Sequence, residues 1–440
     1  MNAVERWNGE LARSRSLAPL GLSVLCAFNS VVDRVKRVRR ADLAALEASL
    51  SPVERARARG LAERDYFPLG SVDSPWEAFA CLSWSMSRGE AAYASISPAA
   101  SAWLARALGA GNWCERLGGQ ASLMAENLAE LGCSSAVYPV LLSRKLARLH
   151  STKISYPVAR GKGARLVSVR GESNAPKAKE NLVLEYGGDA SARANRVIFS
   201  SRSRRTLAFD KSWNRDSLVE LGGLLDACIF SGFHYAPNKR ELAPVLGQLD
   251  ALKQGRGRFE FHCEYVPFKH KAAEAPVMRE VCSRMDSLGL NEVELRELHK
   301  SLYGSGFDYS SPRALSKAAG KVRRTLGLKR VHVHDLGFHV VSLDRELDPK
   351  RCVSACLLAS DRANAKASAE RERAPRVTAY SLGKMHEYSN DRDYLRCGFV
   401  EERDGYAVVA PAPFLAKPRH TLGLGDVVSS TAFVAELAGR

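Results

Sequence analysis

Hydrophobic positions along the chain change their period several times, and each change marks an element. Residues 21–28, GLSVLCAF, form a continuous apolar run with β-branched members, which predicts a buried strand. Asp42–Gly60 carries helical spacing, as in LAALEASL, and Gly119–Leu131, GQASLMAENLAEL, reads as an amphipathic helix closed by Gly132. Residues 136–142 predict another strand. From 151 to 203 the pattern shifts to short alternating runs parted by Gly, Asn and Lys, namely SYPVARGKGARLVSVR, NLVLEYGG and ANRVIFSS. These predict a small antiparallel meander.

Beyond residue 206 helices and strands alternate again. LVELGGLLDACIF reads as helix then strand, FEFHCEYV as a strand, APVMREVCSRM as a helix and RVHVHDLGFHVVSL as one strand. A long helix follows over DPKRCVSACLLASDRANAKASAERERA, then the strand GYAVVAPA and a closing helix, DVVSSTAFVAEL. Strands alternating with helices of this length predict an α/β fold, a parallel sheet covered on both faces, with the meander as a second, smaller β-rich lobe.

Composition narrows the classes. The 440 residues are 45% hydrophobic and 26% charged, which excludes wholesale disorder and a fibrous repeat. Lys and Arg number 65 against 48 Asp and Glu, a net charge of +17. Such a balance suits an anionic partner: nucleic acid, an anionic membrane or a phosphorylated small molecule. The basic residues fall in short groups, and no aromatic residues interleave with them as a nucleic-acid face requires. The ten Cys contain no CxxC pair, so neither a zinc site nor a disulfide framework is expected. No signal-peptide pattern opens the chain and no run approaches a bilayer span, so the expectation is a cytoplasmic protein without a membrane partner.

Four segments carry candidate chemistry. In TLGLGDVVSSTAF, Gly423 and Gly425 form a turn that opens a helix, leaving backbone N–H groups and the positive dipole end for a phosphate. Asp426 at that mouth is either an N-cap or a general base facing a hydroxyl. In FEFHCEYVP, Glu264 ends a strand, where carboxylates of open α/β sheets face the ligand crevice. In SLGLNEVEL, Asn291 and Glu294 have capping-box spacing, with Asn as the cap and Glu reaching back to it at a helix start. In RLGGQASLMAENLAEL, Gly118 and Gly119 bring backbone and the Gln120 amide close to any small polar ligand.

Taken together and in order, these segments resemble the ADP-dependent phosphofructokinase and glucokinase family of the ribokinase-like superfamily. AFNSVVD is similar to the family's early substrate segment, LGGQA to its GGN/GGQ sugar motif, HCE to its HxE motif, NEVE to its NxxE motif and GLGD to its catalytic GxGD. The resemblance implies a three-layer α/β/α ribokinase-like domain with a smaller β-rich lid. The implied division is 1–28, 113–150 and 206–440 in the large domain, with 29–112 and the 151–205 meander in the lid. It implies that Asp426 deprotonates the acceptor, that Gly423 and Gly425 build the anion hole, and that Arg202 clamps the transferred phosphate. Asn29, Asp33, Gly119 and Gln120 would hold the sugar. Asn291, His334, Leu415 and Gly425 would line the nucleotide site, and Glu264, Glu294 and Asp426 would hold Mg2+.

The implied reaction passes the β-phosphoryl group of ADP to a sugar hydroxyl and releases AMP. Members that act on glucose carry a glutamate in a segment like GEAAY, where this chain has Tyr93, so fructose 6-phosphate is the expected acceptor and glucose the alternative. The family's Thr after the nucleotide-side histidine is Asp335 here. Expected partners are ADP or AMP and a sugar or sugar phosphate, in a monomer or small homo-oligomer. The alternatives of another class are a binding protein without turnover and a nucleic-acid binder.

Overall fold

The computed structural model describes residues 2–64, 70–109, 111, 113–187, 195–201, 207–236, 238–255, 259–268, 270–368, 376–413 and 423–439. Their strands form two sheets. The larger has 11 strands in the order Phe399–Glu402, Gly405–Pro411, Phe338–Leu343, Arg330–Asp335, Ser287–Asn291, Glu260–Glu264, Ala227–Ser231, Ser23–Phe28, Ser134–Pro139, Ser155–Arg160 and Gly163–Ser168. The run from Arg330–Asp335 to Ser155–Arg160 is parallel, and antiparallel strands close both edges.

Connection handedness puts helices on both faces. From Ala227–Ser231 to Arg330–Asp335 each new strand is added on the same side, so right-handed crossovers place Lys239–Leu252, Lys271–Cys282, Glu292–Tyr303 and Pro312–Leu326 on one face. Ser134–Pro139 is added on the other side of Ser23–Phe28, so its preceding helix, Gln120–Glu130, lies on the opposite face. There it packs against the closing helix Leu424–Leu437, which in turn packs on Pro349–Ala367. The strand order therefore reverses at Ser23–Phe28, the position where open α/β sheets bind ligands beyond their carboxyl ends.

The smaller sheet runs Ser71–Val72, Ala92–Ile96, Asn195–Ser201, Glu180–Tyr186, Val31–Arg37 and Cys114–Gly118. Its own core, including Leu46, Phe79, Leu82, Leu182, Leu184 and Phe199, is separate from that of the large sheet. Strand alternation sends Leu182, Leu184, Val197 and Phe199 into that core, which leaves Asp33, Asn181 and Arg196 on the opposite face. Two of the four chain passages between the sheets lie at candidate site residues: Asn29 and Ser30 precede Val31–Arg37, and Gly118 leads through Gly119 into Gln120–Glu130.

Several expectations are corrected here. The meander over 151–203 divides: Ser155–Arg160 and Gly163–Ser168 form a hairpin on the edge of the large sheet, and only Glu180–Tyr186 and Asn195–Ser201 join the small one. Alternation reports a half-buried strand but not which sheet it pairs with. The small lobe also holds Cys114–Gly118, and four helices between 40 and 107 contribute to it, so it is itself an α/β layer. The helix over Asp42–Gly60 breaks into Arg40–Ala48 and Pro52–Ala62, because Ser51 caps a new helix with Pro52 at its first position. RVHVHDLGFHVVSL is two antiparallel strands, since Gly337 at φ +89° turns the chain back.

Under the sheet centre lies a buried ion pair. Arg330 Nε donates to Glu436 Oε2 at 3.0 Å, with both side chains 2% exposed. Glu436→Leu, which leaves a buried guanidinium unpaired, is expected to cost about 3–5 kcal/mol. In the Arg330→Met/Glu436→Leu double variant most of that loss should return, as read by denaturant unfolding.

Candidate active site

The helix Leu424–Leu437 begins at Gly423, whose φ of +71° no branched side chain adopts without strain. Among the described residues no side chain caps this helix, which leaves the amides of its first turn for a ligand. Asp426 is therefore not the N-cap. It sits in the first helical turn, three residues past Gly423. Gly425 is helical rather than left-handed. Its role is space, because a Cβ there would lie 2.8 Å from His334 Nε2. A Cβ at Gly423 would meet Leu123 Cδ1 at 2.6 Å, so the starts of the two helices Leu424–Leu437 and Gln120–Glu130 lie side by side. Asn127 Nδ2 clasps the pair by donating to Thr431 Oγ1 at 2.8 Å and Ser430 Oγ at 3.3 Å.

Carboxylates converge at this point. Glu264 is buried and Glu294 and Asp426 are half-buried, and Glu264 raises the proton affinity of the other two. Burial pushes Glu264 up to about 7. Burial, with the charges of Glu264 and Asp426 nearby, pushes Glu294 up to about 8. Burial and Glu264 push Asp426 up to about 8, against a hydrogen bond from Gln120. Glu294 also closes a capping box, its Oε2 accepting from Asn291 N at 2.9 Å and its N–H donating to Asn291 Oδ1 at 2.9 Å. Cap and carboxylate cluster thus coexist in one residue.

A polar chain orients Glu264. His262 Nε2 lies 3.3 Å from Glu264 Oε2 and 3.1 Å from Ser429 Oγ, and Nδ1 lies 2.8 Å from Ser287 Oγ. Ser287 Oγ in turn accepts from Arg330 Nη1 at 3.2 Å. An ionised Glu264 only accepts, so His262 carries its proton on Nε2 and Nδ1 accepts from the Ser287 hydroxyl. Gly289 makes the arrangement possible, since a Cβ there would strike Ser429 Oγ, Glu264 Oε2 and His262 Nε2. His262, Gly289, Ser429 and Asn127 escaped the sequence reading. A glycine inside the strand pattern SLGLN was the available signal for Gly289.

Two spaces flank Asp426. On one side Asn29 Nδ2 donates to Gln120 Oε1 at 3.4 Å, and Asn29 Oδ1 is buried without a partner. Gly119, at φ +79°, lies against the Asn29 carbonyl, where no Cβ fits. Asp33 packs over Gly118 and accepts from Asn181 Nδ2 at 2.9 Å. Burial pushes Asp33 up to about 6, against the Asn181 hydrogen bond and the charge of Arg196. Lys179 donates to Tyr235 Oη at 2.8 Å and joins the small sheet to the turn after Ala227–Ser231. On the other side lies a cavity of about 420 Å³, lined by Asn291, His334, Asp335, Ser360, Asn364 and Gly425 among others. Leu336 and Val293 are exposed at its wall, an apolar surface suited to a flat base. Arg202 and Leu415 lie outside the described residues, as do Thr421 and Leu422.

An acid cluster at a helix mouth, between a hydroxyl-binding recess and a long cavity, on a ribokinase-like fold, defines a phosphotransferase acting on a sugar hydroxyl. Residues 22–435 match the ADP-specific Phosphofructokinase/Glucokinase conserved region, and the chain belongs to that family. It is 27% identical to the ADP-specific phosphofructokinase of Methanosarcina acetivorans over 99% of this chain and 98% of the relative. It is 24% identical to the ADP-dependent glucose/glucosamine kinase of Pyrococcus furiosus over 99% of this chain and 98% of the relative. A solved ADP-dependent kinase in complex with fructose 6-phosphate and ADPβS shares the fold at TM-score 0.80 and 22% identity, over 99% of this chain and 97% of that one.

The raised carboxyls tie stability to pH. A glutamate held near 8 when folded and near 4.5 when unfolded keeps its proton longer in the folded state, so its contribution falls as pH rises between those values. Glu294→Gln removes this dependence. Without ligands, the stability of the wild type minus that of the variant is expected to fall by about 1.4 kcal/mol per pH unit between pH 5 and 7.5. A pH-independent difference in denaturant unfolding would contradict the assignment.

Proposed function

We propose that the protein transfers the β-phosphoryl group of ADP to the 1-hydroxyl of fructose 6-phosphate, giving fructose 1,6-bisphosphate and AMP. The observation that carries this reading is the position of Asp426, between the Asn29–Gln120 recess and the cavity lined by Asn291, His334 and Gly425. ADP lies in that cavity with its β-phosphate at the open amides of the Leu424–Leu437 helix. The sugar lies against Asn29, Asp33, Gly119 and Gln120. The Asp426 carboxylate accepts the hydroxyl proton, the oxygen attacks phosphorus, and AMP departs in line with it. Asn29 Oδ1, buried and unpartnered, takes a sugar hydroxyl as its donor.

The three carboxyls offer an all-oxygen, acidic donor set, which fits a hard divalent cation and explains why their protons are held so tightly without one. Glu264, Glu294 and Asp426 would hold magnesium, in part through water, and the ion would supply charge neutralisation at the phosphate oxygens. The chain's own residues position the reactants and exclude water as the small sheet covers the sugar.

Fructose 6-phosphate is preferred over glucose on two grounds. Lys179, buried beside Tyr235, supplies a cation near the small sheet. Tyr93 pairs with Ile198 opposite the lobe's apolar core, on the face that carries Asp33, where glucose-phosphorylating members carry a glutamate.

AMP formation from ADP and magnesium should be sustained by fructose 6-phosphate, with a higher kcat/KM than with glucose in direct competition. No sugar-dependent AMP from either acceptor would reject the activity. Asp426→Asn should keep ADP binding in calorimetry while turnover falls by about three orders of magnitude or more. Near-normal turnover in that variant would remove Asp426 from its role.

Binding of magnesium should release protons near pH 7, because all three carboxyls are partly protonated there. Apparent affinity should therefore rise from pH 6 to 8, read as a buffer-dependent binding enthalpy. Equal affinity across that range would reject the carboxylate site.

A further inference from the structure

Away from the transfer cleft, the described residues hold a second cluster of metal-ligating side chains. His332 and His339 meet across the antiparallel pair Arg330–Asp335 and Phe338–Leu343, with His332 Nε2 3.0 Å from His339 Nδ1. Cys356, on Pro349–Ala367, reaches the same point: one ligand atom from each of the three lies within 4.8 Å of the others. All three are at most 1% exposed.

A plain buried hydrogen-bond network explains this cluster incompletely. Among the described residues His332 Nδ1 is buried and has no partner. His339 Nε2 lies 2.5 Å from Ser360 Oγ. With Ser360 accepting the Nε2–H, His339 Nδ1 turns its lone pair toward His332, the tautomer and orientation that a second-shell hydroxyl imposes on a ligating histidine. Burial lowers the basicity of both rings, His339 to about 3, so both are neutral at physiological pH. The Cys352 and Cys356 side chains hydrogen-bond to each other, and the Arg330 guanidinium lies near both. The 3.0 Å between the facing nitrogens is close to the ~3.3 Å separating two nitrogen ligands of one tetrahedral zinc ion.

We propose that His332, His339 and Cys356 form a binding site for a zinc-class divalent ion beneath the floor of the nucleotide cavity. Two imidazoles and a thiolate suit zinc and reject magnesium, the opposite preference to the carboxylate cluster. Ion binding moves the His332 proton from Nε2 to Nδ1, forms three coordinate bonds and releases one proton, from the Cys356 thiol. His339 and Ser360 also line the nucleotide cavity, which gives the ion, and a water as a further ligand, a path inward.

The test uses the full chain and the metal alone. After incubation with Zn2+ and removal of excess, the wild type should retain one equivalent more than Cys356→Ser, whose affinity should be at least about tenfold weaker. Ser360→Ala should weaken binding about tenfold, and Cys397→Ser, outside the cluster, should bind as the wild type does. The Co2+ form of the wild type should show a thiolate-to-metal charge-transfer band that Cys356→Ser lacks. X-ray absorption at the zinc edge of the wild type needs no variant to fold and should report one sulfur and two imidazoles. Oxygen-only ligation, or equal zinc retention in Cys356→Ser, would overturn the proposal.

Discussion

Three carboxyl groups from three elements meet in one buried place, and much of the architecture serves that crowding. Glu264 ends a central parallel strand, Glu294 opens the helix after the next strand, and Asp426 lies in the first turn of the closing helix. Withdrawal from water raises the proton affinity of all three, and the charge of Glu264 adds to it at Glu294 and Asp426, so each holds its proton well above the ordinary carboxyl range. A fold tolerates such a cluster when a ligand repays the cost. Open helix amides on one side and a hard-cation donor set at the centre both invite a phosphate–metal assembly. The crowding of these carboxyls and the chemistry they suit share a cause.

Rigidity around the cluster comes from buried polar contacts rather than from the carboxyls themselves. The chain Glu264–His262–Ser287–Arg330–Glu436 runs across the sheet into the closing helix, so the orientation of one carboxylate is coupled to a buried ion pair at the far end of that helix. Ser429, Ser430 and Thr431 reach His262 and Asn127, which explains why a run of hydroxyl residues follows Gly423 and Gly425. Glycine at 289 lets the helix approach the sheet closely enough for these bonds to form. Positioning of this kind is what phosphoryl transfer demands of a protein, because the reaction needs alignment and charge neutralisation more than covalent assistance.

The two sheets divide the work of recognition. The large sheet offers the carboxyl ends of its parallel strands, and the small sheet offers the face opposite its own apolar core. Two of the chain's crossings between them lie at Asn29–Ser30 and Gly118–Gln120, so movement of one sheet relative to the other acts directly on the Asn29–Gln120 contact. Among the described residues no helix is long and apolar enough to cross a membrane, and the net charge of +17 is consistent with phosphorylated ligands.

The sequence by itself determined what depends on neighbours a few residues apart. The capping box at Asn291 and Glu294, the glycine mouth before Asp426, the Gln120 helix and the apolar strands were all legible, because caps and periodicity are local. The motif order was legible too, and it carried the family. Only the tertiary structure decided which sheet the 155–168 hairpin joins, that Asp426 sits inside the helix rather than capping it, and that Gly425 and Gly289 are spacers for His334 and Ser429. It alone brought Cys356 to His332 and His339. These are contacts between residues far apart in sequence, set by how whole elements pack, and no local pattern along the chain records them.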